Sequence, residues 1–129
     1  MLERAFLVLC AIVWLPYGAM CFFDPSLLAD SAGVMANSPT GTTEIRAMYG
    51  GVQASVGTLA AIALFRETLV QSFLVALLTL SAGLLSARVA GSFWDGGYTG
   101  YTGMALGFEA VLLGSCLYFL YIRQITERV

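Results

Sequence analysis

Three charged residues interrupt apolar stretches of this sequence, and they are its best candidates for chemistry. Arg46 lies near the start of one stretch, Arg88 near the end of the next, and Glu109 inside the last. A charge in hydrocarbon costs from about 2.5 kcal/mol upward, so such residues persist where they pair or line a polar cavity. An arginine beside Glu109 would keep its carboxylate ionised. Either Arg46 or Arg88 could supply that partner.

Polar and small residues follow Arg46 with the periodicity of a helix. Tyr49, Gly50, Gln53 and Gly57 come at offsets of three, four, seven and eleven, which would place all five residues on one face of an α-helix. Glycines on such a face let a neighbouring helix or a ligand approach the backbone. We therefore expect either a ligand pocket or a buried polar network, and its candidate residues are Arg46, Tyr49, Gly50, Gln53, Arg88 and Glu109.

Four apolar segments would position these residues, at about 5–23, 47–65, 69–90 and 104–122. A 19-residue helix is roughly 29 Å long, which matches a hydrocarbon core of about 30 Å. The composition agrees, because 59% of the residues are hydrophobic and only 11% are charged, where soluble domains have about 25% charged residues. The sequence thus predicts an all-α integral membrane four-helix bundle that forms a single transmembrane domain over residues 1–129.

The first segment begins like a secretory leader, with Arg4 followed by an apolar run. It is longer than a typical leader core, contains Trp14 and Pro16, and does not end in a small-x-small cleavage site. We expect a retained transmembrane helix that is kinked at Pro16.

The arginines outside the segments predict the orientation. These arginines are Arg4, Arg66, Arg123 and Arg128. The positive-inside rule predicts that the side of the membrane that carries them is cytoplasmic. Both termini should then be cytoplasmic, and the loops 24–43 and 91–103, which lack arginine, should face outward and cover the outer half of the bundle. The second loop carries Phe93, Trp94, Tyr98 and Tyr101, which fit an aromatic belt at the membrane interface.

Composition excludes several classes of protein. A net charge of −2 with six scattered arginines provides no basic stripe for nucleic acid. The absence of histidine removes bis-histidine haem, the common zinc sites and histidine general-base catalysis. Three cysteines without a C-x-x-C spacing favour packing over redox chemistry. We expect no metal and no cofactor.

The run Glu44-Ile45-Arg46-Ala47-Met48-Tyr49-Gly50-Gly51 reads as E-x-R-x-x-Y-G-G at the start of the second segment. With four segments in a chain of this length, it resembles the small bacterial membrane proteins grouped as domain of unknown function 4345. The resemblance implies a four-helix integral membrane protein, in the bacterial inner membrane, without an assigned activity. It also implies one connected site, made of Glu44, Arg46, Tyr49, Gly50, Gly51, Arg88 and Glu109.

The function that we expect is binding of a lipid or small amphiphile in a charged pocket of the outer leaflet. Arg46 and Arg88 would meet a polar or anionic head, Tyr49 and Gln53 would donate hydrogen bonds, and the apolar helices would hold the tail. Loss of Arg88 should then remove the ligand and leave the fold intact.

Three alternatives stay open at this point. The charged cluster could be a purely structural lock between helices. The chain could form a homo-oligomer, or it could be an accessory subunit of a larger membrane complex. It could also be a membrane enzyme or proton-coupled carrier in which Glu109 exchanges its proton against Arg88.

Overall fold

The computed structural model describes residues 1–127, so Arg128 of the orientation argument lies outside the described residues. Every regular element among them is helical, and no strand occurs there. The α-helices are α1 (Leu2–Phe23), α2 (Leu27–Ala32), α3 (Pro39–Ile45), α4 (Val52–Phe65), α5 (Val70–Asp95) and α6 (Gly100–Glu127). A π-helical turn, Arg46–Gly51, connects α3 to α4, and a 3₁₀ turn, Glu67–Leu69, precedes α5.

Four helical stretches are long and apolar enough to cross a membrane: Leu2–Phe23, Pro39–Phe65, Glu67–Asp95 and Gly100–Thr126. The all-helical prediction with four candidate spans is confirmed. Two of these stretches begin before the predicted apolar segments, at polar residues that cap them. Ser38 is one such cap: its Oγ accepts the Gly41 N–H at 3.1 Å, and Pro39 follows at the first helical position.

The chain divides into two compact units, the first of which is Met1–Val70. In this unit α1 packs against α4 and the π-helical turn through glycines. A Cβ atom added to Gly18 would lie 2.4 Å from the Ala54 backbone nitrogen, and one added to Gly57 would lie 2.6 Å from the Leu15 nitrogen. Of the two possibilities that these glycines left open, a helix or a ligand, Gly57 is approached by a helix, α1. Pro16 lies inside α1, which continues to Phe23; a kink there stays a prediction.

The segment between α1 and α3 is ordered by a small apolar cluster. Cys21 of α1, Leu28 of α2 and Ile45 of α3 are buried together, and Tyr49 packs against them. At the start of the segment, Asp24 Oδ1 accepts two hydrogen bonds, one from the N–H and one from the hydroxyl of Ser26. This part of the predicted outer loop thus folds against the end of α1.

The second unit contains α5 and α6, joined by four residues, with Gly96 at φ +63°. Thr99 and Thr102 cap α6 reciprocally. The N–H of each threonine donates to the Oγ1 of the other at 3.3 Å, and the Thr102 hydroxyl donates to the Gly97 carbonyl at 3.2 Å. The second loop is therefore shorter than expected, since these bonds extend α6 back to Gly100. The single-domain organisation stays a prediction.

Candidate functional site

Arg88 and Glu109 form an ion pair between α5 and α6. Arg88 lies seven residues before the end of α5, and Glu109 lies nine residues after the start of α6. At about 1.5 Å per residue both are roughly 10 to 14 Å from the connecting turn, so an antiparallel pair of helices brings them to one level. Arg88 Nη2 lies 2.8 Å from Glu109 Oε1, and Arg88 Nε lies 3.1 Å from the same oxygen and 3.3 Å from Oε2.

The environment of this pair is asymmetric. Glu109 is only 4% exposed, whereas the Arg88 side chain is 29% exposed. The Arg88 Cζ atom lies 6.0 Å from the centre of the Tyr101 ring, which is within cation–π range. Tyr101, expected only as part of an aromatic belt, is thus also a neighbour of the guanidinium. The sequence left open whether Arg46 or Arg88 is the partner of Glu109, and the structure shows that Arg88 is.

Arg46 has a different environment in the first unit. It is exposed, and its Cζ atom lies 5.9 Å from the centre of the Phe22 ring, near the end of α1. Within the first unit, no carboxylate lies within ion-pair distance of its guanidinium. Glu44, two positions earlier, is also exposed. Arg46 therefore has no ion pair within its own unit and lies on a partly aromatic surface.

Arg46 begins the π-helical turn, which covers the core of the E-x-R-x-x-Y-G-G motif. The Val52 N–H donates to the Ala47 carbonyl, five residues earlier, in place of the four-residue spacing of an α-helix. One extra residue in a turn shifts the helical phase by about 100°. The α-helical offsets that would put Arg46 on one face with Gln53 and Gly57 therefore do not hold across this turn. π-Helical turns are rare and recur at functional sites.

The other candidate site residues of the first unit have different environments. Tyr49 packs against the apolar cluster of Cys21, Leu28 and Ile45. Gly50 lies against Phe22, because an added Cβ would lie 2.8 Å from the Phe22 Cβ. Gly51 is exposed, and a Cβ there would have only the Arg46 carbonyl oxygen near it, at 3.9 Å.

Gln53 has a buried Oε1 that accepts no hydrogen bond from the described residues.

Phe22 and the π-helical turn are the features of this region that the sequence did not indicate. Phe22 lies in an apolar run like many other residues, and no residue type specifies a π-helical turn.

A shallow groove runs along α5 in the second unit. It is lined by Ala76, Thr79, Leu80, Gly83 and Leu84, none of which is charged. Among the side chains of residues 1–126, no three His, Cys, Asp or Glu come together as metal ligands. Cys10, Cys21 and Cys116 are free and buried.

Comparison with known proteins identifies a family and no activity. No curated protein and no solved structure matches the chain. The motif that contains Arg46, together with Arg88 and Glu109, indicated membership of one family from the sequence. The model of that family, Domain of unknown function (DUF4345), matches residues 2–120, and the chain belongs to it.

Proposed function

We propose that this protein is a small membrane protein that binds an amphiphile through an anionic head at Arg46. The observation that carries the proposal is the contrast between two arginines. Arg88 is neutralised by a buried carboxylate 2.8 Å away, whereas Arg46 is exposed and has no carboxylate within ion-pair distance in its own unit. An exposed arginine near the end of a span, without an ion pair in its own unit, is available to an anionic group at the membrane surface.

The surroundings of Arg46 support an amphiphile. Phe22, Phe23 and Met48 are all exposed apolar side chains near the same end of the span. Arginine beside exposed aromatic side chains suits the level of lipid headgroups. If the loops without arginine face outward, as the positive-inside rule predicts, this end lies in the outer leaflet of a bacterial inner membrane.

Native mass spectrometry of the detergent-purified protein tests the proposal. The wild-type protein should retain a small anionic molecule or lipid, and Arg46→Gln should lose it. Arg66→Gln is the matched control, because Arg66 is an exposed arginine at the other end of α4. Equal retention by wild type and Arg46→Gln would refute the proposal. An empty wild-type protein would also refute it and would favour the accessory-subunit reading.

A second candidate is a proton-coupled carrier or enzyme that uses Glu109. One observation favours it: Glu109 is the buried acidic residue of the described chain, and it is held by Arg88. A carrier should dissipate a pH gradient across proteoliposomes, and Glu109→Gln should abolish that flux. Flux that is absent from the wild type, or unchanged in the variant, would reject this candidate.

A further inference from the structure

The turn between α5 and α6 carries three exposed aromatic side chains, which we call the turn patch (Phe93, Trp94 and Tyr98). Phe93 is 85% exposed, Trp94 86% and Tyr98 69%. The sequence grouped Tyr101 with them, but Tyr101 is partly buried and its ring lies beside the Arg88 guanidinium. The structure thus separates one aromatic residue that contacts the ion pair from three that are exposed.

The members of the turn patch lie at one level on the two helices. Phe93 and Trp94 are in the last turn of α5, which ends at Asp95. Tyr98 reaches the first turn of α6, because a Cβ atom added to Gly103 would lie 2.8 Å from the Tyr98 Oη atom. At about 1.5 Å per residue, these positions are all within roughly 5 Å of the turn. The patch therefore covers the ends of both helices.

The backbone of the turn indicates the same level independently. Irregular backbone is not tolerated in hydrocarbon on the lipid-facing surface, because its polar groups have no water to bind there. Residues 96–99 lie outside the helices and are exposed, so this turn belongs among the headgroups. The apolar stretches Glu67–Asp95 and Gly100–Thr126 lie on its two sides. The turn patch is therefore placed where the hydrocarbon core ends.

We infer that the turn patch binds the boundary between the headgroups and the hydrocarbon of a lipid bilayer. Rings that combine an apolar body with a polar tip, as in Trp94 and Tyr98, are enriched at that boundary. Phe93 adds apolar area beside them. The inference depends on the membrane location in the proposed function and not on a ligand at Arg46.

This placement fixes the depth of the ion pair between Arg88 and Glu109. Arg88 lies six residues before Trp94, and Glu109 lies six residues after Gly103. Six residues of helix are about 9 Å long, and half of a hydrocarbon core is about 15 Å. The ion pair therefore lies roughly 9 Å inside the hydrocarbon. A carboxylate without a counter-charge is costly at that depth, which accounts for the pairing of Glu109 with Arg88.

Tryptophan fluorescence in phosphatidylcholine vesicles tests the inference. The chain has two tryptophans, and Trp94→Phe leaves Trp14 alone, so the difference between wild type and this variant is the signal of Trp94. Its quenching is measured with nitroxide lipids labelled near the glycerol end or near the methyl end of the acyl chain, and with iodide in the water. We expect the shallow label to quench the Trp94 signal at least about twofold more than the deep label, and iodide to quench it little.

A second variant measures the depth of the ion pair. Val89 is exposed and adjacent to Arg88. The double variant Trp94→Phe with Val89→Trp therefore moves the tryptophan by about 7.5 Å along α5, to the level of the pair. The preference should reverse, so that the deep label quenches this tryptophan more than the shallow label.

Three results would overturn the inference. The first is quenching of the Trp94 signal by iodide as strongly as free tryptophan, which would leave the turn patch in water and open to a protein partner. The second is stronger quenching of Trp94 by the deep label. The third is a double variant with the same preference as Trp94, which would contradict the depth of the ion pair.

Trp14→Phe protects the measurement against a folding failure. If Trp94→Phe does not fold, Trp14→Phe leaves Trp94 as the single tryptophan, and the same preference for the shallow label is expected. These measurements do not involve Arg46, so their failure and the failure of the proposed ligand site are distinguishable.

Discussion

The helices of the two units are held together by different kinds of contact. In the first unit, α1 and α4 meet backbone to backbone, where Gly18 and Gly57 leave no room for a methyl group. In the second unit, α5 and α6 are linked by a charged pair, Arg88 with Glu109, beyond a short capped turn. Close packing needs no polar group, and in the first unit Arg46 is exposed. In the second unit Arg88 neutralises a buried carboxylate.

This difference changes what each arginine is expected to do. Sequence alone treated Arg46 and Arg88 as two equivalent contacts for one ligand head. A residue that neutralises a buried charge affects stability when it is lost, whereas an exposed and uncompensated charge affects binding. Substitutions in the two units should therefore separate these effects.

The largest effect should come from Arg88→Leu. Removal of the guanidinium leaves Glu109 buried without its counter-charge, which costs about 3 to 5 kcal/mol in comparable buried pairs. The free energy of unfolding in detergent, measured by denaturant titration, should fall by about that amount. This expectation replaces the sequence-based one, in which loss of Arg88 spared the fold.

The double variant Arg88→Leu with Glu109→Leu is the control for that measurement. It removes both charges together, so most of the lost stability should return. A double variant as unstable as Arg88→Leu would mean that the ion pair is not the link between α5 and α6.

A smaller loss is expected where the first unit depends on close approach. Gly18→Ala places a methyl group 2.4 Å from the Ala54 nitrogen and 2.8 Å from the Gly50 carbonyl oxygen. Backbone cannot yield as a flexible side chain can, so the helices must separate, at a cost of about 1 to 3 kcal/mol. Thermal unfolding should record the loss.

Gly107→Ala, in the second unit, is the matched comparison. Apart from its chain neighbours and the nearby backbone of its own helix, no described atom lies within 4 Å of the added methyl group. Because alanine favours helix over glycine by up to about 1 kcal/mol, Gly107→Ala should be neutral or stabilising. If the two substitutions have equal effects, glycine contacts do not distinguish the units.

The turn of the second unit supplies a third measurement. Thr99→Ala removes the hydroxyl that accepts the Thr102 N–H at 3.3 Å and lies 3.1 Å from the Thr102 hydroxyl. Loss of such a cap costs about 1 kcal/mol. Thr126→Ala should change little, because the Thr126 hydroxyl only donates to the carbonyl four residues earlier. An equal loss in both variants would show that the cap is not what ends the turn.

Much of the architecture could be predicted, because a helix that crosses a membrane needs about 20 apolar residues and four such segments are visible. The helix ends were less accessible, since α6 begins in polar residues whose caps extend it back to Gly100. Arg88 and Glu109 were recognised as partners in principle, because charges in spans rarely stay unpaired. The choice between Arg88 and Arg46 required the length of the turn between α5 and α6.

The residues around Arg46 were harder to place, for a physical reason. Offsets of three, four and seven describe one face only in a regular α-helix, and the turn at Arg46–Gly51 has one extra residue. Tyr49 packs against an apolar cluster, and its part in a polar site stays a prediction. The role of Gly18 could not be predicted from the sequence, because its close contact with Ala54 depends on how two helices cross.

The smallest change in stability should come from Arg46→Gln. The Arg46 side chain is exposed, and its described contact is a ring 5.9 Å away, so the free energy of unfolding should change by less than about 0.5 kcal/mol. Arg88→Gln, the same substitution in the other unit, should be several times more costly, because it leaves Glu109 buried and without a full counter-charge. The same denaturant titration measures both variants. If Arg46→Gln were as unstable as Arg88→Gln, Arg46 would be part of the packing, and a loss of ligand in that variant would no longer indicate a binding site.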